Sequence, residues 1–280
     1  MEERILDREQ VLRLLPDRDH WAHKGDFGKI LLLCGSRGYT GAAALAAMGA
    51  LRSGAGLVYL GVPEDIYAIE AVKLTEPVVF PLPCEDGKFS AHAVAEIMDL
   101  LPRMDAVLIG PGLGQSAGTL AVLKAVLRAD LPVVVDADGI NLLSRHKFLL
   151  RGRTAPTILT PHDGEFRRLA ELGPDRPAAA VALARELGCI LVLKGHETFI
   201  TDGQTGYRNQ TGNPGMAVGG CGDVLAGIIV SLLGQGLAPL EAAAAAVWLH
   251  GAAGDECANA LGQYGMLPTD MLNTLPRLMK

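Results

Sequence analysis

Short apolar runs, each followed by a stretch with helical spacing, recur along this chain and constrain its fold more than any other feature. Lys29-Ile-Leu-Leu-Leu-Cys34 opens the series. An uninterrupted apolar run suits a strand buried on both faces, the situation of a parallel sheet covered by helices. The pattern predicts further strands at 57–61, 78–82, 106–109, 133–136, 157–160 and 190–193. Helices are expected at 5–15, 42–52, 66–71, 91–101, 119–128, 140–143, 166–172 and 178–187. Residues 198–201 and 206–209, joined through Asp202-Gly203, read as a β-hairpin. Two long helices at 224–233 and 240–261, and an amphipathic one after Pro268, complete the series. Strands alternating with helices specify a mostly parallel central sheet between two helical layers, an α/β/α sandwich. No linker, charge block or internal repeat divides the chain, so residues 1–280 are expected to form one domain.

In such a sheet, ligands bind beyond the carboxyl ends of the strands. The most unusual stretch, Asn213-Pro-Gly-Met-Ala-Val-Gly-Gly-Cys-Gly-Asp-Val-Leu-Ala-Gly227, crowds glycines around one acid and runs into an apolar helix. Glycines let a backbone approach a ligand closely, and a helix start offers free N–H groups and the positive end of its dipole. Asp223 is either a general base beside an anion hole or the cap of a helix. Residues 35–43 carry neither Gly-Lys-Ser/Thr nor GxGxxG spacing, which excludes a Walker A loop and a dinucleotide fingerprint. Ile109-Gly-Pro-Gly-Leu-Gly114 can lie against a flat or charged ligand. Asp136 and Asp138 at a strand end suit Mg²⁺ or a hydroxylated substrate, and equally cap a helix. His162 and Glu165 follow another strand, where a ligand role and a structural one stay open. Lys194 ends a buried strand, placed for phosphates or for snorkelling to solvent.

The net charge of −6 excludes the basic face that nucleic-acid binding needs, though nucleotides held by backbone amides remain compatible. The 5 cysteines have neither paired nor metal-ligand spacing, which fits reduced thiols in the cytoplasm. The first residues lack an apolar signal core, and the alanine run at 242–246 belongs to a helix too weakly apolar for a bilayer. A soluble cytoplasmic protein without membrane contact is expected.

Taken in order, Lys24-Gly-Asp-Phe-Gly-Lys29, Asp138-Gly-Ile-Asn141, Thr160-Pro-His-Asp-Gly-Glu165, Lys194-Gly-His-Glu-Thr198 and the segment 213–227 form a specific set. The set resembles the ADP- or ATP-dependent NAD(P)H-hydrate dehydratases of the ribokinase-like superfamily, over residues 12–278. The resemblance implies a ribokinase-like three-layer fold and a metabolite-repair lyase. Such an enzyme phosphorylates the hydroxyl of (S)-NADH or NADPH hydrate with ADP or ATP and then eliminates phosphate. It implies Asp223 as general base and the amides of Gly220, Cys221 and Gly222 as anion hole. Lys194, Gly195, His196, Glu197, Thr198 and Gly222 would bind the nucleotide; Ala42, Gly114, His162 and Asp223 the hydrate. Mg²⁺ is implied, with Asp138 and Glu165 as candidate ligands, and a homo-oligomer, favoured as a tetramer. Relatives with an additional epimerase domain exist, and the length here suggests the stand-alone dehydratase.

Two departures matter. Cys221 stands where the family commonly has threonine, and the variable loop 36–40 makes Gly41 or Ala43 alternatives to Ala42. The rival expectations are a ribokinase-like kinase of a small alcohol and a silent nucleotide-binding protein on the same scaffold.

Overall fold

The computed structural model of the chain describes residues 2–280. From the N-terminus come β1 (Glu2–Arg4), α1 (Arg8–Leu14), β2 (Lys29–Leu33), α2 (Thr40–Arg52), β3 (Leu57–Pro63), α3 (Glu64–Lys73) and β4 (Val78–Leu82). The hairpin β5 (Cys84–Glu85) and β6 (Lys88–Phe89) leads to α4 (Ala93–Leu100), β7 (Ala106–Ile109), α5 (Ala117–Arg128), β8 (Val133–Val135) and α6 (Asp138–Ser144). Then follow β9 (Thr157–Leu159), α7 (Asp163–Leu169), α8 (Arg176–Leu187), β10 (Ile190–Leu193), β11 (Phe199–Thr201) and β12 (Thr205–Arg208). Three helices close the chain, α9 (Cys221–Gly234), α10 (Pro239–Leu261) and α11 (Pro268–Leu278).

Ten strands form one sheet in the order β1-β12-β11-β10-β9-β8-β7-β2-β3-β4, with β11 alone running against the rest. The two-residue side-chain period explains why both faces are dry. Ile30, Leu32 and Cys34 enter one core, and Leu31 and Leu33 enter the other. Val134, Ile158 and Val192 follow the first group, while Val133, Val135, Leu159 and Leu193 follow the second. Helices α2, α9, α10 and α11 cover the first face; α4 to α8 cover the second. After β2 the chain steps outward to β3 and β4, then returns to the other flank of β2 as β7 and continues outward. The strand order thus switches direction between β2 and β7, and it is at such points, beyond the carboxyl ends of the strands, that α/β sheets bind ligands.

Three elements differ from expectation. β1 is a charged Glu-Glu-Arg triplet with no apolar signature, held to β12 by Arg208, whose guanidinium grips Glu3 at 2.6 and 3.1 Å. The β5–β6 hairpin turns through Asp86 and Gly87, both at positive φ, in a segment too short to show a period. Helix α7 starts three residues early, at Asp163, because His162 and Glu165 cap each other: the Glu165 carboxylate accepts from the His162 amide at 2.9 Å.

Helix α9 is apolar nearly all round and lies buried between the sheet and α2, α10 and α11. Its approach to α2 needs two bare backbones. A Cβ on Gly227 would lie 2.2 Å from the Ala46 carbonyl oxygen, and one on Gly49 would lie 2.6 Å from that of Val224. Gly227→Ala should therefore destabilise the protein by about 1–3 kcal/mol through overpacking. Gly173→Ala, where a Cβ meets nothing within 4 Å, should be near neutral in the same denaturant titration.

Candidate active site

The site is built at the carboxyl edge of the sheet, on the α9 side. Strand parity dictates which residues arrive there. Val134, Ile158, Val192 and Leu32 point to the α9 face, so two residues later Asp136, Thr160, Lys194 and Cys34 share that direction as their strands end. They meet in one network. The Lys194 ammonium lies 2.8 Å from Asp136 Oδ1 and 3.8 Å from Glu165 Oε2. Thr160 Oγ1 donates to the same Asp136 oxygen at 2.6 Å. Asp136 and Glu165 are buried, and Lys194 is nearly so. Burial opposes the lysine charge, but Asp136, Glu165 and Asp223 together outweigh it and hold the pKa above the usual value.

Across from this network lies the start of α9. Gly220 takes the N-cap position at φ 103°, and no side chain caps the helix, unlike α5, α7 and α8. First-turn amides left uncapped form an anion site. A Cβ on Gly222 would lie 3.5 Å from the Lys194 ammonium, so one cation borders both the loop and the strand ends. Asp223, one residue on, has its pKa pushed up to about 7, first by burial and then by Asp136 and Glu165, with Lys194 pulling the other way. At neutral pH this carboxyl is poised between holding and releasing a proton.

Cys221 sends its sulfur away from the loop, 3.8 Å from Met271 Sδ, and burial pushes the thiol up to about 11. It is a neutral packing group. His250 on α10, buried and with Nε2 unpartnered, is pulled down to about 4 by burial and stays neutral.

The residues expected to contact a substrate fall into two clusters. Ala42 abuts Gly112, since a Cβ there would meet the Ala42 methyl at 2.9 Å, and Gly114 carries the Lys88 stem. The Gly114 amide donates to Asp138 Oδ2 at 2.9 Å; Gln115 and Asn141 take the other oxygen. The Asp138 carboxylate is thereby committed to shaping this loop, while Asp136 joins Glu165 at the ammonium. His162 sits apart at the N-terminus of α7, exposed, with Nδ1 accepting from the Gly164 amide. Residues 194–198 form a closed turn in which Thr198 Oγ1 donates to the Gly195 carbonyl at 3.0 Å. Beside it lies a cavity of about 570 Å³ lined by Arg176, Pro177, His196, Glu197, Phe199 and Arg208.

Backbone strain marks the same edge. Ala137 adopts φ 48°, ψ −116°, the first corner of a turn closed by the Gly139 amide on the Asp136 carbonyl at 2.9 Å. A non-glycine residue there costs about 1–3 kcal/mol, and it aims Asp136 and Asp138 in different directions. Among the described residues, no group of three or more His, Cys, Asp or Glu side chains is poised around a metal position. Among them too, no helix is long and apolar enough to cross a membrane.

A family model described as NAD(P)H-hydrate dehydratase matches residues 30–277. A bifunctional NAD(P)H-hydrate repair enzyme of Moorella thermoacetica is 45% identical over 275 residues, 95% of this chain and 52% of that protein. The chain spans about half the length of the bifunctional relatives it matches. An ADP-dependent (S)-NAD(P)H-hydrate dehydratase of Listeria monocytogenes is 34% identical, with 95% and 92% of the two chains covered. Among solved structures, a ribokinase-like superfamily protein of Enterococcus faecalis has TM-score 0.87 at 32% identity, over 99% of this chain and 95% of that one. An ADP/ATP-dependent NAD(P)H-hydrate dehydratase of Bacillus subtilis, co-crystallised with ATP/Mg²⁺, has TM-score 0.86 at 34% identity, covering 98% and 96%.

Ionising Asp223 costs the folded state stability. Its pKa rises on folding, so below the unfolded value near 4 it has no effect, and stability is lost as pH climbs toward about 7. Asp223→Asn should therefore raise the melting temperature at pH 8, by an amount reflecting on the order of a few kcal/mol, and leave it nearly unchanged at pH 4. Thermal melts at the two pH values check this.

Proposed function

This chain belongs to the NAD(P)H-hydrate dehydratase family, and on that premise we propose that it repairs the S-form of hydrated NADH and NADPH, using ADP or ATP. The fold is the ribokinase-like α/β/α sandwich. One observation carries the proposal: a half-buried carboxyl poised near neutrality, Asp223, sits in the uncapped first turn of α9 with the Lys194 ammonium alongside. A binder of phosphates gains nothing from an acid there; a phosphoryl transferase gains a base.

In the proposed reaction an Asp223 oxygen takes the proton of the hydrate hydroxyl as that oxygen attacks the terminal phosphorus of the nucleotide. The bond from phosphorus to the nucleotide breaks, releasing AMP when ADP is the donor. Hydroxide is a poor leaving group and phosphate a good one. The C–O bond of the new ester therefore breaks with its electron pair going to phosphate, a proton leaves the adjacent carbon, and the ring double bond returns. Amides of Gly220, Cys221 and Gly222 would hold the phosphoryl oxygens, preorganised for the charge they carry. Lys194, Gly195, His196, Glu197 and Thr198, with Gly222, would hold the nucleotide against the neighbouring cavity. Ala42, Gly114 and His162 would line the hydrate side.

Mg²⁺ fits the donor chemistry. It keeps most of its waters and takes one or two carboxylates. Asp136 and Glu165, buried and sharing a single ammonium, offer two. These residues would hold it, Asp138 being turned instead to the Gly114 amide, and the ion would neutralise phosphate charge. The five cysteines are unpaired, which suits the cytoplasm as the proposed location. The proposed assembly is a homotetramer, carried by family resemblance alone.

Incubation with NADH hydrate, Mg²⁺ and either ADP or ATP should restore the near-ultraviolet absorbance of NADH and release phosphate. No rise with either nucleotide overturns the dehydratase, and accumulation of a phosphorylated small alcohol instead favours the kinase. Asp223→Asn should lower kcat by about 10²–10⁴, the usual worth of a general base, while nucleotide affinity stays within a small factor. Because the base must be ionised, wild-type kcat/KM should fall tenfold per pH unit below a pH of about 7.

A further inference from the structure

Arg176 has no motif to announce it, yet its guanidinium joins two turns on which the proposed chemistry depends. It is the first residue of α8, fixed there by Asp175, whose carboxylate accepts from the Ala178 amide at 2.9 Å. Nε and Nη2 donate to one oxygen of Asp163, at 3.1 and 2.7 Å, and Nη2 also donates to the Lys194 carbonyl at 2.9 Å. Asp163 opens α7 directly after His162, and Lys194 opens the turn 194–198. The backbones of these turns already run side by side: the Lys194 amide donates to the Pro161 carbonyl at 2.8 Å, and His162 pairs with Lys194 in a parallel bridge. The guanidinium fills the space where Gly195 lacks a side chain; a Cβ there would lie 2.7 Å from Nη2. Gly195 itself stands at φ 153°.

We infer that Arg176 is a positioning residue that locks the nucleotide-side turn at Lys194 and Gly195 to the hydrate-side turn at His162 and Asp163. The inference rests on the dehydratase proposal for the names of the two ligands. A surface ion pair contributes little. This one differs because the arginine is only 28% exposed, donates in a fork, and satisfies a backbone carbonyl at a strand end. A lysine has no planar fork and cannot hold both acceptors in that geometry. The carbonyl belongs to the residue whose ammonium borders the anion loop, so loss of the clamp reaches the ligands through Lys194 and His162 rather than through the reacting atoms.

The test uses Arg176→Met, Arg176→Lys and Asp163→Asn in the full chain. ADP affinity is measured by calorimetry without hydrate, and KM and kcat by the NADH assay. Removing the clamp should weaken ADP binding and raise the hydrate KM by about tenfold each, as expected for loss of a charge-assisted hydrogen bond, with kcat within twofold of wild type. Arg176→Lys should not rescue either constant, and Asp163→Asn should shift both in the same direction. A structural role alone would lower the melting temperature and leave ADP affinity and KM unmoved; that result overturns the inference. Should Arg176→Met fail to fold, Arg176→Lys and Asp163→Asn make the same distinction. Wild-type protein that binds ADP but does not repair the hydrate overturns the proposed function instead, and calorimetry on the variants still decides the nucleotide half of the clamp.

Discussion

A single ammonium faces three carboxylates at the edge of this sheet, and much of the site follows from that imbalance. Lys194 bonds Asp136 across 58 positions of sequence, draws in Glu165, and borders Gly222 at the start of α9. Burying an ion pair is costly, and an apolar pair of similar volume is often the more stable choice. Keeping it here ties the residues that end β8 and β10 together beside the start of α9. It also leaves net negative charge that, with burial, keeps Asp223 from ionising early. The raised pKa of Asp223 is therefore a property of four side chains rather than of one residue.

Helix packing puts the other half of the site within reach of that ammonium. Gly49 and Gly227 let α2 and α9 touch backbone to backbone, so both helices fit over one face of the sheet and α9 begins at the strand ends. A bulkier residue at the crossing would move the anion loop as well as loosen the core. The same economy places Cys221: its side chain belongs to the packing with Met271.

Much of the fold was legible because its signals are strong and local. Uninterrupted apolar runs located 78–82, 106–109 and 190–193 to the residue. β1 was not legible, since three charged residues form a strand only when Arg208, some two hundred positions away, supplies the partner. The glycine-rich loop before α9 stood out by composition. Which of Asp136 and Asp138 faces the ammonium did not, because both are acids at one strand end. Strand parity carries Asp136 after Val134 onto the α9 face, and the strained turn at Ala137 breaks that parity and sends Asp138 to the Gly114 amide. Arg176 offered no signal at all, since its partners are a carbonyl and an acid brought near only by folding.

The order in which the sheet can close follows from β1. Its three residues are synthesised before every other strand, but their neighbour β12 is made only after nine of the ten strands' positions have been passed. Until residues 205–208 emerge, the β1 edge strand lacks the neighbour it pairs with. Arg208 makes the delay consequential: one guanidinium grips Glu3 on β1 and, at 3.0 Å, Glu197 in the turn beside the cavity. The Arg208 side chain that lines that cavity is thus braced by the oldest strand of the sheet. A chain ending before Thr205 lacks Arg208 and with it the tie between Glu3 and Glu197.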